Sequence, residues 1–420
     1  MGRRYRTISR RQFLRRVSTM AAAAAGPMIL PSRLFGANAP SNRVTLGHIG
    51  VGGQGGGLLG GFLGVAGCQP VAASDPFKSR RESSAARMGQ GAKAYRDFRE
   101  LLERDDIDAV VIATPDHWHV PIACAAIRAG KDVYVEKPLG VSIDQDKAMR
   151  DVVHRYGAVF QYGTQQRSFN THCAFACELV RNGYIGKLKE VHVVAPNGET
   201  GGNPAPQPVP EGLDYDLWLG PAPVVPYTHD RVIGLGRWHI YDYALGFIAG
   251  WGAHPLDIAH WGYPQIPVEY EGTGSIPADG LFDTVVAWNV RGRYADGVQF
   301  TLTHGANDTR FVGDKGWVSA SRGGMDAEPK SLLGVKIRPD EIRLLQDNDH
   351  YRNFVSSVRS RKTPVSNIES AVQSDFMSQL SDIAIRTGRK IAWDPVKETI
   401  VGDESAARMM RRPMREPWTV

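Results

Sequence analysis

Short apolar runs and segments of helical period alternate from residue 44 to about residue 165. Val44, Leu46 and Ile49 form one run, and Leu58, Leu59, Phe62 and Leu63 follow it at helical spacing. Val71-Ala72-Ala73-Ser74 is a second run. The pattern then predicts a helix over 95–104, a buried strand over 107–113 and a helix over 120–129. A strand over 132–135, a helix over 142–156 and a strand over 158–162 complete the series. Strand–helix repeats of this length predict an α/β chain with a doubly wound parallel sheet. Beyond residue 166 the rhythm changes. A helix over 169–182 and a strand over 187–194 precede a Gly/Pro-rich stretch at 196–236, a length that is usually functional or covers something. A helix over 251–261 follows. Alternating runs at 268–270, 283–290, 298–304, 310–312 and 316–320 read as an antiparallel sheet. Helices are expected over 348–359 and 368–387, and the tail from Trp393 reads as irregular and Arg-rich.

The turn after the first run is Gly50-x-Gly52-x-x-Gly55, with Gly53 and Gln54 inside it. Gly50 permits the turn, Gly52 lets the backbone approach a pyrophosphate, and Gly55 lets the helix lie close to the sheet. Asp75 ends the second run twenty residues after Gly55. An acid there can bond ribose hydroxyls and repels a 2′-phosphate, which favours NAD over NADP. Lys78, Arg80 and Arg81 follow closely and keep NADP as the lesser option. Residues 42–165 are therefore expected to be an NAD-binding Rossmann domain. Ligands in such sheets sit beyond the carboxyl ends of the strands. The segments placed there are Thr114–His119 (Thr114, Pro115 and His119 among them), Glu136-Lys137-Pro138 and Gly163–Gln166 with Gln165. Residues 166–395 are expected to form an α+β substrate and oligomerisation domain, and 396–420 a tail.

Charge changes the picture less than it first suggests. The formal charge is +6, but eight of the 50 basic residues lie within residues 1–39, which hold no acid. The remainder has 42 basic against 44 acidic residues, so no nucleic-acid patch is implied. Ser9-Arg10-Arg11-Gln12-Phe13-Leu14, an alanine run at 21–25 and Ala37-Asn38-Ala39 predict a twin-arginine export leader over 1–39 and a periplasmic protein. The leader's apolar stretch is too short and weak for a stable membrane span, and Pro40 disfavours cleavage directly after Ala39. Cys173 and Cys177 lie one helical turn apart beside His172, but no second pair with ligand spacing exists, so no metal site is expected.

The Rossmann half, Glu136-Lys137-Pro138 and the later Gly252-Ala253-His254-Pro255-Leu256-Asp257, in that order, resemble the Gfo/Idh/MocA (glucose–fructose oxidoreductase / inositol dehydrogenase) family. Thr114–His119, Gly163–Gln166, Leu217–Pro221 and Trp393-Asp394 add to the resemblance, the last two to an exported bacterial subgroup. It covers roughly residues 42–420 and implies a mostly antiparallel open sheet in the second domain and a homodimer or homotetramer. It also implies that Lys137 binds and polarises a reacting hydroxyl. The chemistry asks for such residues independently: a hydride acceptor, a base and a positive group at the developing oxyanion. His254 is the expected proton shuttle, with Asp257 one turn on to orient or balance it. The chain departs from the family pattern at Gly250, where many relatives carry an Asp four residues before the histidine. Asp242, Tyr241 or Tyr243 are the nearby substitutes.

The expected activity is an NAD(P)-dependent oxidoreductase acting on a sugar, polyol or sugar derivative. The alternative is a glycoside hydrolase or lyase that uses bound NAD and transient C3 oxidation, with Trp218 and Trp238 as a carbohydrate platform. A non-catalytic NAD-bound sugar binder is a third reading, which Lys137 and His254 together disfavour.

Overall fold

The computed structural model describes residues 43–420; the twin-arginine segment lies outside them. Six parallel strands form the first sheet: β1 (Val44–Ile49), β2 (Cys68–Ser74), β3 (Lys93–Tyr95), β4 (Ala109–Ile112), β5 (Asp132–Val135) and β6 (Phe160–Tyr162). Their order is β3-β2-β1-β4-β5-β6, reversing direction of winding at β1, where doubly wound sheets bind ligands. β4 and β5 are buried along their whole length, as strands covered on both faces must be. Helices α1 (Gly53–Leu63), α2 (Lys78–Met88), α4 (His119–Arg128) and α5 (Ile143–Tyr156) connect them, with a short α3 (Phe98–Leu102). The helix expected over 95–104 is cut to α3 because Tyr95 still pairs in β3 and Asp97 caps the next turn, accepting from Arg99 N at 2.9 Å.

The second sheet has nine strands. Helix α6 (Thr171–Arg181) leads into β7 (Leu188–Ala195), and α7 (Ala253–Gly262) precedes β8 (Glu269–Ser275), β9 (Ala287–Arg293), β10 (Gln299–His304), β11 (Asp308–Gly313), β12 (Trp317–Ser321) and β13 (Gly324–Glu328). All pairs are antiparallel except β7 with β10, as in a mostly antiparallel mixed sheet. β8 runs further than the short apolar run suggests. Gly272 and Gly274 interrupt its pattern, yet a Cβ at either would meet Ile385 at 3.0 and 2.9 Å, so their bareness lets a helix lie on the sheet. That helix is α9 (Ile368–Thr387), which packs on β8, α7 and α5 and is buried around most of its circumference.

Two parts of the chain differ from expectation. The tail is not irregular throughout: β14 (Ile391–Asp394) and β15 (Thr399–Val401) extend the second sheet at its edge, and α10 (Glu404–Arg408) follows, capped by Asp403. Its arginines serve as anchors. Arg415 Nε donates to Gly220 O at 2.8 Å, and the Trp418 ring lies 4.6 Å from that of Trp118. Second, α8 (His350–Ser360), expected to belong with the later domain, returns to the first sheet. Its Phe354, Val355 and Val358 pack with Leu58 and Phe62 of α1 and Tyr134 of β5. Phe62, Tyr134 and Phe354 meet edge to face at 5.6–6.0 Å, a geometry that adds to their burial.

Truncating Phe354 to Ala opens a cavity in that fully buried triad. The expected cost is about 3–5 kcal/mol of unfolding free energy, read as a lowered urea midpoint; a change below about 1 kcal/mol would show that α8 is dispensable to the first sheet.

Candidate active site

The glycine turn holds open a cradle. Gly50 has φ +77°, and a Cβ there would lie 2.7 Å from Ala113 O and Thr114 N. A Cβ on Gly55 would lie 1.9 Å from Gly50 O, so α1 can touch the turn only with glycine there. Gly53 faces open space, and no side chain caps α1, which leaves its first N–H groups directed outward. Asp75 is buried; its two oxygens accept from Val51 N at 3.0 Å and Phe77 N at 2.9 Å. Burial raises its pKa, outweighing those bonds and the nearby Arg80 and Arg81. A cavity of about 310 Å³ runs past Gly50, Gly52, Gly53, Gln54, Asp75, Thr114 and Pro115. Arg80 lines it, its guanidinium 3.9 Å above the Phe77 ring, and Phe98 and Trp118 close one side. The Gly/Pro-rich stretch folds over this cavity through Leu217, Val232 and Ile233, and Trp238 follows just after it. Trp218 also lines this cavity, from an apolar cluster with Tyr227 and Tyr243 in which it is only 3% exposed.

A second cavity, about 500 Å³, adjoins the first through Gln54 and Trp238. Lys137, Pro138, Gln165, Gly250, His254 and Arg322 line it. The Lys137 Nζ donates to Gly250 O at 2.8 Å, across the boundary between the two sheets. His254, at the start of α7, is 2% exposed and its Nδ1 has no partner. Burial and the cations of Lys137 and Arg322 hold its pKa well below the usual imidazole value, so it is neutral. Arg322, in the β12–β13 turn, lies 4.7 Å over the Trp251 ring.

Several expected site residues act from behind the walls. Glu136 Oε1 accepts from Gln54 Nε2 at 3.0 Å and Gln165 Nε2 at 2.6 Å, fixing two lining amides. The ring nitrogens of His119 lie 2.6 Å from Pro138 O and 2.9 Å from Thr114 O, and the neutral ring donates its one N–H to one of these two carbonyls; the ring lines neither cavity. The expected pairing of Asp257 with His254 is not what the structure has. Asp257 is fully buried and takes Arg167 through both oxygens, each at 2.6 Å, because a guanidinium fork matches a carboxylate and a single imidazole does not. Tyr241 lies between Arg386 and Arg412, and Tyr243 is buried in the cluster around Trp218. Asp242 lines a third cavity with Arg412 and Met414, so none of these three reaches the cavity of Lys137. Cys173 and Cys177 are buried in the core, where burial pushes the Cys173 thiol up to about 12.

Two contributions were not expected from the sequence. Asp375 of α9 accepts from Leu139 N at 2.7 Å and from the Tyr162 hydroxyl, holding the loop that follows Lys137. Asp116 lines the second cavity 3% exposed, with Oδ2 lacking any partner. Among the described residues no helix is long and apolar enough to cross a membrane.

Removing one half of the Arg167–Asp257 pair strands a buried charge. Asp257→Ala is expected to cost about 3–5 kcal/mol by denaturant unfolding, and the double variant Arg167→Met/Asp257→Leu to recover most of it. A stable Asp257→Ala protein with altered His254 titration would instead restore the His254-orienting role.

Residues 45–164 match a profile described as the NAD-binding Rossmann fold of the Gfo/Idh/MocA oxidoreductase family, and residues 197–420 match the C-terminal alpha/beta domain of the same family. A scyllo-inositol 2-dehydrogenase (NAD(+)) of Bacillus subtilis is 37% identical over 123 residues, 29% of this chain and 35% of that protein. A glycosyl hydrolase family 109 protein of Solibacter usitatus is 37% identical over 116 residues, 25% of this chain and 26% of that protein. The chain thus spans only about a quarter to a third of the length of these curated relatives. Two solved structures share its fold. The aldose-aldose oxidoreductase of Caulobacter crescentus, complexed with glycerol, has 19% identity and a TM-score of 0.63, covering 83% of this chain and 99% of that one. The scyllo-inositol dehydrogenase of Lactobacillus casei with bound NAD(H) and scyllo-inositol has 18% identity and a TM-score of 0.61, with the same coverage.

Proposed function

The chain belongs to the Gfo/Idh/MocA oxidoreductase family, and from that premise we propose that it oxidises or reduces a carbon–oxygen centre of a sugar, polyol or sugar derivative. The observation that carries this reading is the Lys137 ammonium, fixed at 2.8 Å from Gly250 O on the wall of the same cavity as the neutral His254. A nicotinamide dinucleotide fits the residues present. Gly50, Gly52 and Gly53 would admit its pyrophosphate to the start of α1, and Asp75 would meet the adenosine ribose. When bound, the cofactor supplies the hydride acceptor or donor. Lys137 polarises the reacting hydroxyl and steadies charge on its oxygen, and His254 hydrogen-bonds the same group and passes its proton on. Gln165, Gln166 and Asn170 offer amide contacts to other hydroxyls.

Asp75 favours NAD. The Arg80 guanidinium beside Gly52 is the feature that supports NADP, so the ratio of the two affinities reads the balance between them. The leader read in residues 1–39 supports export, and free NAD is scarce outside the cytoplasm; together they favour a cofactor that is held through each turnover. A held cofactor also suits the second reading, transient oxidation with cleavage of a glycosidic bond. The absent carboxylate at Gly250 and the likeness to a glycosyl hydrolase family 109 protein favour it.

Denaturing the purified, folded protein should release NAD(H) at about one per chain, read by absorbance and mass. Protein that is empty and binds NAD weakly overturns the held-cofactor reading. With carbohydrates supplied, accumulation of reduced cofactor marks a dehydrogenase, whereas aglycone release without net reduction marks the second reading. Lys137→Met should lower kcat by about 10²-fold or more while the protein still binds cofactor. Unchanged turnover would remove Lys137 from the chemistry.

A further inference from the structure

Oxidation of an alcohol releases a proton together with the hydride, and the proton needs a group able to keep it. Lys137 already donates to Gly250 O. His254 is neutral because an imidazolium would sit buried beside Lys137 and Arg322; it can relay a proton and holds one poorly. Gly250 brings no carboxylate, and Asp242, Tyr241 and Tyr243 line other parts of the protein.

One carboxyl does stand in the wall of this cavity. Among its lining residues Asp116 is the only acid. It comes from the turn between β4 and α4, in a different half of the chain from His254. The other buried acids near the site are fully engaged: Asp257 by Arg167, Asp375 by Tyr162 and Leu139, Glu136 by Gln54 and Gln165. Asp116 differs, since its buried Oδ2 has no partner at all. A polar atom left in that state costs stability, and such an atom in the wall of a cavity has a ligand as its natural partner.

We propose that Asp116 is the proton-exchanging carboxyl of this site, in the place that Gly250 leaves without an acid; the role rests on the oxidoreductase reading above. In oxidation the substrate O–H and C–H bonds break and the C=O bond is completed. The hydride, with its two electrons, leaves to the oxidised nicotinamide, and the hydroxyl proton goes to the Asp116 carboxylate. In reduction the same carboxyl returns the proton to the carbonyl oxygen.

The charges facing Asp116 come from several elements. Burial and the Asp375 carboxylate on α9 raise its pKa; Lys137 after β5, the Asp116 backbone N–H and Arg237 of the 236–239 turn lower it. The neighbouring His117 and His119 on its own turn are held neutral by burial, near 3 and 4. The balance pushes Asp116 up to about 8. Below that value the acid form, a donor, prevails; above it the carboxylate can accept. Oxidation should therefore gain rate as pH rises through about 8, and carbonyl reduction should lose it.

The test is Asp116→Asn in the cofactor-loaded protein, an isosteric change that breaks no hydrogen bond of Oδ2. Turnover is expected to fall about 10²-fold, the ionisation near 8 to vanish from the kcat/KM profile, and NAD(H) affinity to stay within about two-fold. Infrared difference spectra of unsubstituted protein against Asp116→Asn give a readout without turnover. A protonated-carboxyl band present only in the unsubstituted protein should disappear between about pH 6 and pH 10. Turnover within about two-fold and an unmoved profile would overturn the proposal, as would a slow variant whose profile keeps the same ionisation. If the unsubstituted protein transfers no hydride to or from any carbohydrate supplied, the oxidoreductase reading fails and Asp116's role falls with it, an outcome distinct from failure of the variant alone.

Discussion

A single ammonium has to be held in place between two sheets. Lys137 sits at the carboxyl end of β5, and its partner, Gly250 O, belongs to the other half of the chain. A charge at such a seam is tolerable only when its surroundings are already ordered. The neighbouring loops meet that condition. His119 packs between Thr114 O and Pro138 O and donates to one of them, Glu136 gathers Gln54 and Gln165, and Asp375 pins Leu139 N from α9. Beneath His254 the Arg167–Asp257 fork fixes α7 at no cost in unpaired charge. These buried bonds fix loops on the walls of both cavities, in addition to the apolar packing beneath.

What could be read from the sequence was local. The glycine turn, Asp75 and Lys137 each stand in a short pattern whose physics is complete within a few residues, and the strand–helix rhythm placed them at the carboxyl ends of the first sheet; His254, on α7, was named through the family resemblance. What could not be read was long-range. Asp257 and Arg167 are 90 residues apart, and nothing at either position favours a fork over a histidine partner. Asp375 lies 236 residues from the amide it holds. Asp116 was inside a segment expected to face the cofactor, but which of its six residues keeps an unused oxygen is decided by burial. The same holds for β8, whose glycines erase the alternation that would reveal it, because the pressure for small residues comes from Ile385 on α9.

Helix α8 carries a related lesson about what a domain is. Its amphipathic face is legible as a helix, yet its apolar side completes the core beneath β1, β4 and β5, contributed by chain far beyond the first sheet. The two sheets thus interlock through sequence as well as through the Lys137 contact, and neither has a closed core without residues from the other part of the chain.

The seat of Trp418 on Trp118 sets an order of events in time. Phe98 and Trp118, which wall the first cavity, are translated about three hundred residues before the ring that backs them. The glycine cradle is therefore made long before that wall is complete. A growing chain carries its phosphate seat with one wall unsupported until Trp418 has been added and has folded back onto Trp118.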